Sequence, residues 1–131
     1  MELNYQYAHH SFDESETKSV SSIEDVLSAF DHFDWDNQVQ KANELQKVSP
    51  TLTLIIDGNR EMVWVSAYGE KSDLKFVSEC YFPGLVSKWF GLSKKEGTVN
   101  LCSQEFSLEN ARTVFDLMLN KDYEGLRKIY A

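Results

Sequence analysis

The side chains best suited to chemistry come early, in "HHSFDE", where His9, His10, Asp13 and Glu14 bring two imidazoles and two carboxylates together. That mixture is what a divalent metal ion takes as ligands. Adjacent residues of a strand point to opposite faces, so His9 and His10 at a strand end would not share one ion. The expectation is an exposed strand end followed by a polar loop, with no metal. His32, the one other histidine, has no spacing relation to them. Cys80 and Cys102 stand in no motif that activates a thiolate and are expected to be small core residues in a reducing compartment. "WFGLSKKEG" places lysines between two glycines but lacks the G-K-[ST] of a phosphate loop. There is no G-x-G-x-x-G and no G-x-S-x-G. General acid–base catalysis by two carboxylates needs a pair in unlike environments, and none stands out among 21 acids. No catalytic, cofactor-binding or metal-binding residue is assigned, and the chain is not read as an enzyme.

The other dense stretch is "SAFDHFDWDNQ", residues 28–38, with Phe30, Phe33 and Trp35 set among Asp31, Asp34 and Asp36. Helical spacing assigns Phe30 and Phe33 to a buried stripe and puts Asp31 and Asp34 on the opposite face. Trp35 and Asp36 fall at or beyond the helix end. Acids are disfavoured there by the helix dipole and repel one another, each effect being a few tenths of a kcal/mol. One reading is a solvated helix end with Trp35 half-buried. The other is an acidic patch with an aromatic anchor, the arrangement that dominates binding energy at interfaces. The candidate partner-binding residues are therefore Asp31, Asp34, Trp35 and Asp36, with Asp13, Glu14 and Glu16.

The distribution of charge supports the second reading. Residues 1–44 hold ten acids against Lys18 and Lys41, net −8, whereas residues 45–131 hold eleven acids and eleven bases. The whole negative charge of the chain lies in its first third. Such asymmetry disfavours nucleic acid and anionic membrane, both polyanions, and favours a basic partner. No apolar run approaches the roughly 20 residues of a membrane span, and "MELNYQYAHH" lacks the basic and apolar regions of a secretory signal, so the chain is expected in the cytoplasm.

The elements that must position these residues follow from periodicity. With 131 residues, 42% hydrophobic and 26% charged, the chain has the size and composition of one globular domain, 1–131. "LNYQYA" alternates as a strand, and "HHSFDESETKSVSS" reads as a loop. "SSIEDVLSAFDHF" carries a helix start, marked by a capping box of Ser21 and Glu24 and by the stripe Ile23, Val26, Leu27, Phe30 and Phe33. A second helix over about 36–47 continues with Val39, Ala42 and Leu45 and ends before Pro50. "TLTLIID", "EMVWVSAYG" and "LKFVSECYF" form a meander joined by "DGNR" and "GEKSD", and "PG" at 83–84 stops it. Met62, Trp64 and Tyr68 share one face of the middle strand, and Val63, Val65 and Ala67 the other; if the first set lies away from the helices it forms an aromatic surface. "LVSKWFGLSKKEG" is a loop or short helix with Lys88, Lys94 and Lys95 as a local positive patch. "TVNLCSQEF" is a further strand, "SLENARTVFDLMLNKD" a helix capped by Ser107, and "YEGLRKIYA" adds a last turn packed by Leu126 and Ile129. The sum is an α+β fold: an antiparallel sheet of about five strands with two to three helices mainly on one face.

In layout, a capped helix "SVSSIEDVLSAFDHF", the strand pair "SPTLTLIIDGNREMVWVSAYG" and a C-terminal "FSLENARTVFDLML" helix, the chain resembles the small immunity proteins of bacterial polymorphic-toxin and contact-dependent growth inhibition systems. The likeness covers about residues 17–120, and the segment at 83–97 has no counterpart in it. The resemblance implies a protein without catalysis or cofactor that binds a cognate toxin domain, often a basic nuclease, and blocks its active site or an exosite. The family shares no catalytic residues to carry over. The rival readings are a generic interaction module or homodimeric scaffold, and a small metal-dependent enzyme built on "HHSFDE".

Overall fold

A computed structural model describes residues 1–88 and 93–131, with the side chains of 86–95 outside that description. The elements run β1 (Glu2–Gln6), β2 (Glu16–Ser19), α1 (Ile23–His32), α2 (Trp35–Leu45), β3 (Thr51–Asp57), a 3-10 turn (Gly58–Arg60), β4 (Glu61–Glu70), β5 (Asp73–Lys88), β6 (Ser93–Phe106), α3 (Leu108–Leu119) and α4 (Tyr123–Tyr130). The six strands pair antiparallel in the order β2-β1-β3-β4-β5-β6. The fold class is α+β, with one strand and one helix more than the sequence suggests.

The alternation in the strands decides which face is covered. Leu3, Leu52, Leu54, Val63, Val65, Ala67, Phe76, Cys80 and Phe82 are buried and meet Val26, Phe30, Trp35, Val39, Ala111, Val114, Phe115, Met118 and Leu126 from the helices in one core. The intervening residues Met62, Trp64 and Tyr68 lie on the uncovered face, half-buried, as the conditional expectation of an aromatic surface requires. Beneath them the fully buried Ser78 hydroxyl donates to the Trp64 carbonyl at 2.9 Å and lies 2.7 Å from the Tyr130 hydroxyl, which ties α4 to the sheet.

Four expectations are corrected. The polar segment read as a loop contains β2, an edge strand exposed throughout; it has no apolar alternation to reveal it and is held by pairing with β1 and by Asn4 Nδ2 donating to Ser15 Oγ and Thr17 Oγ1. The N-cap of α1 is Ser22, whose hydroxyl accepts from Asp25 N at 3.0 Å, one residue beyond the expected Ser21. The two overlapping Ser-x-x-acid patterns differ by one step, and α1 buries Val26 and Phe30 while leaving Ile23 39% exposed.

The third correction concerns "PG". β5 runs on through Pro83 and Gly84, paired with Thr98 and Gly97 of β6. Pairing of β5 with β4 ends at Tyr81, so Pro83 lies where β5 has a paired strand on one side only, the kind of edge position at which proline is tolerated. Gly84 is needed there: a Cβ would come within 2.8 Å of Val99 Cγ2. The segment expected as a loop or short helix is thus an extension of the β5–β6 hairpin over 85–88 and 93–97. Residues 89–92 of it, and the lysine patch Lys88, Lys94 and Lys95 as side chains, lie outside the described residues.

The fourth bears on function. Helix α1 ends at His32, and Asp34 is the N-cap of a second helix whose first residue is Trp35. Asp34 and Asp36 therefore stand at a helix N-terminus, where the dipole favours them, and not at a disfavoured C-terminus. Their crowding is accounted for by the fold.

Candidate functional site

The seven candidate residues do not share a face. Trp35 is 5% exposed. Its ring stacks on Phe33 at a centroid distance of 4.0 Å and meets Phe76 edge-on at 5.0 Å, and its Nε1 donates to the Phe30 carbonyl at 3.2 Å. It is a core residue, which removes it as an exposed anchor. Asp31 turns toward α3, where Arg112 Nε and Nη2 donate to its two oxygens at 2.7 and 3.0 Å. This bidentate pair lowers the Asp31 carboxyl below the usual range and raises Arg112. Asp36 turns toward the β4–β5 turn and accepts from Ser72 N at 2.9 Å, where Ser72 holds a left-handed φ of 66°.

Asp34 faces a third way. Its side chain makes no cap hydrogen bond and lines a groove of about 310 Å³ with Tyr5, Tyr7, Lys18, Ala29, His32, Phe33 and Gln38. The groove lies where the α1–α2 corner meets β1 and β2. Tyr7 stacks on Phe33 at 5.3 Å and on His9 at 6.0 Å, and Lys18 Nζ lies 5.2 Å over the Tyr5 ring. Gln38 Oε1 accepts from Ala8 N at 2.8 Å and fixes the end of β1 to α2.

The remaining three acids border that end of the molecule. Glu16 Oε2 lies 3.5 Å from His10 Nε2. His10 is 8% exposed and its Nδ1 accepts from Tyr7 N at 3.0 Å, so the proton of the neutral ring sits on Nε2 and faces Glu16. Burial, with the charge of Glu16, pushes the Tyr7 phenol up. Glu14 accepts from the amide and hydroxyl of Ser11, which lowers its carboxyl, and Asp13 accepts from the same hydroxyl at 3.2 Å. The histidines are not on opposite strand faces: residues 8–10 form a turn, and the two rings lie 4.4 Å apart. Among the described residues no three His, Cys, Asp or Glu side chains gather as a metal-binding group.

Tyr7 and Gln38 are among the groove residues that sequence reasoning did not select as partner-binding, and His10 lies beside the groove, against Tyr7. Alternation of Tyr5 and Tyr7 was the available signal for the first; the buried role of His10 depends on a turn that no pattern announces. The groove sets the carboxylate of Asp34 near the rings of Tyr5, Tyr7 and Phe33 and the ammonium of Lys18. No family model, curated protein or solved structure matches the chain.

Proposed function

We propose that the chain is a non-catalytic binding protein of the immunity type. In this reading it holds a basic toxin domain, a nuclease being one candidate, against its acidic surface and keeps it inactive in the cytoplasm. The carrying observation is the state of the ten carboxylates in residues 1–44. Nine are exposed, and among the described residues only Asp31 forms an ion pair with a lysine or arginine. Uncompensated surface charge of one sign repels itself, while a partner of opposite sign gains from it in rate of encounter and in specificity.

The contact set in this reading is Asp34 and Glu16 at the groove, Asp13 and Glu14 beside it, and Tyr7 as the aromatic contact. Asp31 and Asp36 act through the fold. Together with the groove, the first turn of α1 adds exposed Glu24 and Asp25 to the negative surface. The test is to change Asp34 and Glu16 together to Lys and measure association with the protein domain encoded by the adjacent gene. Association is expected to slow about tenfold or more at low salt, with the difference shrinking as salt is raised. Unchanged rate and affinity would remove the groove from the account. A mass that rises with concentration for the chain alone would favour a homodimeric scaffold instead.

A further inference from the structure

On the sheet face that no helix covers, β4 and β5 bring four side chains to one place. The register sets Trp64 opposite Glu79 and Met62 opposite Tyr81, all pointing outward. Both aromatic donors end on one carboxylate oxygen: Trp64 Nε1 donates to Glu79 Oε1 at 3.3 Å, and the Tyr81 hydroxyl donates to it at 2.9 Å. These bonds hold the carboxylate and both rings in fixed relation. The bond to Glu79 also raises the Tyr81 phenol, so the ring stays a neutral donor. Among the described residues the second oxygen, Oε2, has no hydrogen-bond partner and Glu79 has no ion pair. Asn59, from the 3-10 turn, joins these four around a depression of about 390 Å³. Ile55, cross-strand from Met62, continues the half-buried apolar floor.

A held carboxylate without a counter-ion, flanked by two aromatic rings and a thioether, attracts a cation with an apolar stem. A guanidinium suits it better than an ammonium. It is planar, weakly hydrated, and stacks on a ring while its N–H groups reach a carboxylate. We propose that this depression receives an arginine side chain displayed by a protein partner. Charge complementarity names the occupant: among the described residues Glu79 has no internal cation, and the chain as a whole carries −8. The site lies across the sheet from the groove at the α1–α2 corner, so it stands whether or not that groove binds the toxin domain.

The test uses the full chain and three blocked tripeptides, Gly-Arg-Gly, Gly-Lys-Gly and Gly-citrulline-Gly, the last keeping the arginine shape without its charge. The readout is the Trp64 indole N–H resonance, assigned against Trp64→Phe. The arginine peptide is expected to shift it saturably, with the lysine and citrulline peptides about tenfold weaker, the order set by losing a charge-assisted planar pair. Glu79→Gln, which keeps an acceptor for Trp64 and Tyr81, is expected to weaken the arginine peptide by a similar factor. Equal binding of arginine and citrulline peptides, or of arginine and lysine peptides, would overturn the assignment, as would arginine binding unchanged in Glu79→Gln. A Trp64 shift that follows protein concentration without peptide would give this face to a second copy of the chain and also overturn it.

Discussion

Replacing Trp35 by alanine separates a core residue from a docking anchor. The indole is 5% exposed and packs against Phe30, Phe33 and Phe76, three residues that are themselves buried. Truncating a ring so placed removes its transfer free energy and leaves a cavity, together about 3–5 kcal/mol. The lost Nε1 bond adds little, because the Phe30 carbonyl still accepts from Phe33 N at 3.3 Å. With an unfolding entropy of roughly 0.28 kcal/mol/K for a chain this long, about 4 kcal/mol lowers Tm by about 15 °C. Since domains of this size have about 5–15 kcal/mol in total, the variant is left marginal. Trp35→Phe keeps most of the packing and is expected to cost about 1–2 kcal/mol. Urea and thermal unfolding read by far-UV circular dichroism measure both, since the indole itself is removed. A Trp35→Ala protein within about 1 kcal/mol of wild type would show that the ring does not bear on the core, and would restore it as a candidate contact.

Other outcomes follow from the same contacts. Cys80 is buried, as expected of a core residue, and its thiol is pushed up to about 11, mainly by burial, whereas Cys102 is exposed, which corrects the expectation for it; a thiol reagent should therefore label one cysteine in the native chain and both in denaturant, and rapid double labelling without denaturant would contradict the placement of Cys80. The Asp31 carboxyl is lowered by Arg112, so the pair contributes above the usual aspartate range of about 3.9 and is lost as the pH falls through the lower folded value. Asp31→Asn should cost about 0.2–1 kcal/mol at neutral pH, the range for exposed pairs, and the gap to wild type should close in acid; a gap that stays constant with pH would refute the pairing. Glu61 is 6% exposed and its Oε1 accepts from Lys121 Nζ at 2.6 Å and from the Tyr123 hydroxyl at 2.8 Å. Lys121→Met leaves that buried carboxylate short of a cation and should cost about 2 kcal/mol by chemical denaturation, more than Glu61→Gln. Lys121 is raised chiefly by its bond to Glu61, so its contribution is full below the ordinary lysine range and fades as the pH rises through the raised value.

What could be read from the sequence divides along a physical line. Patterns set by a buried face were legible: the alternation of Val63, Val65 and Ala67 against Met62, Trp64 and Tyr68 gave the two faces of β4, and Ser107 with the stripe Ala111, Val114, Phe115 and Met118 gave α3. Patterns set by backbone pairing alone were not, because hydrogen bonds between main chains ask little of side-chain type. β2 is exposed at every position, and Pro83 is tolerated in β5 because it lies past the end of β4. The candidate site suffered from a one-residue matter of a similar kind. With α1 continued past Phe33, Asp34, Trp35 and Asp36 look like charge and ring stranded at a helix end. With a break at Phe33, where ψ is 122°, the same residues become an N-cap, a buried first residue and a favoured first-turn acid. The strain that suggested a binding role therefore largely disappears. The carboxylates elsewhere are not explained in this way, since Asp13, Glu16 and Glu79 stand outside the helices and helix geometry says nothing of them.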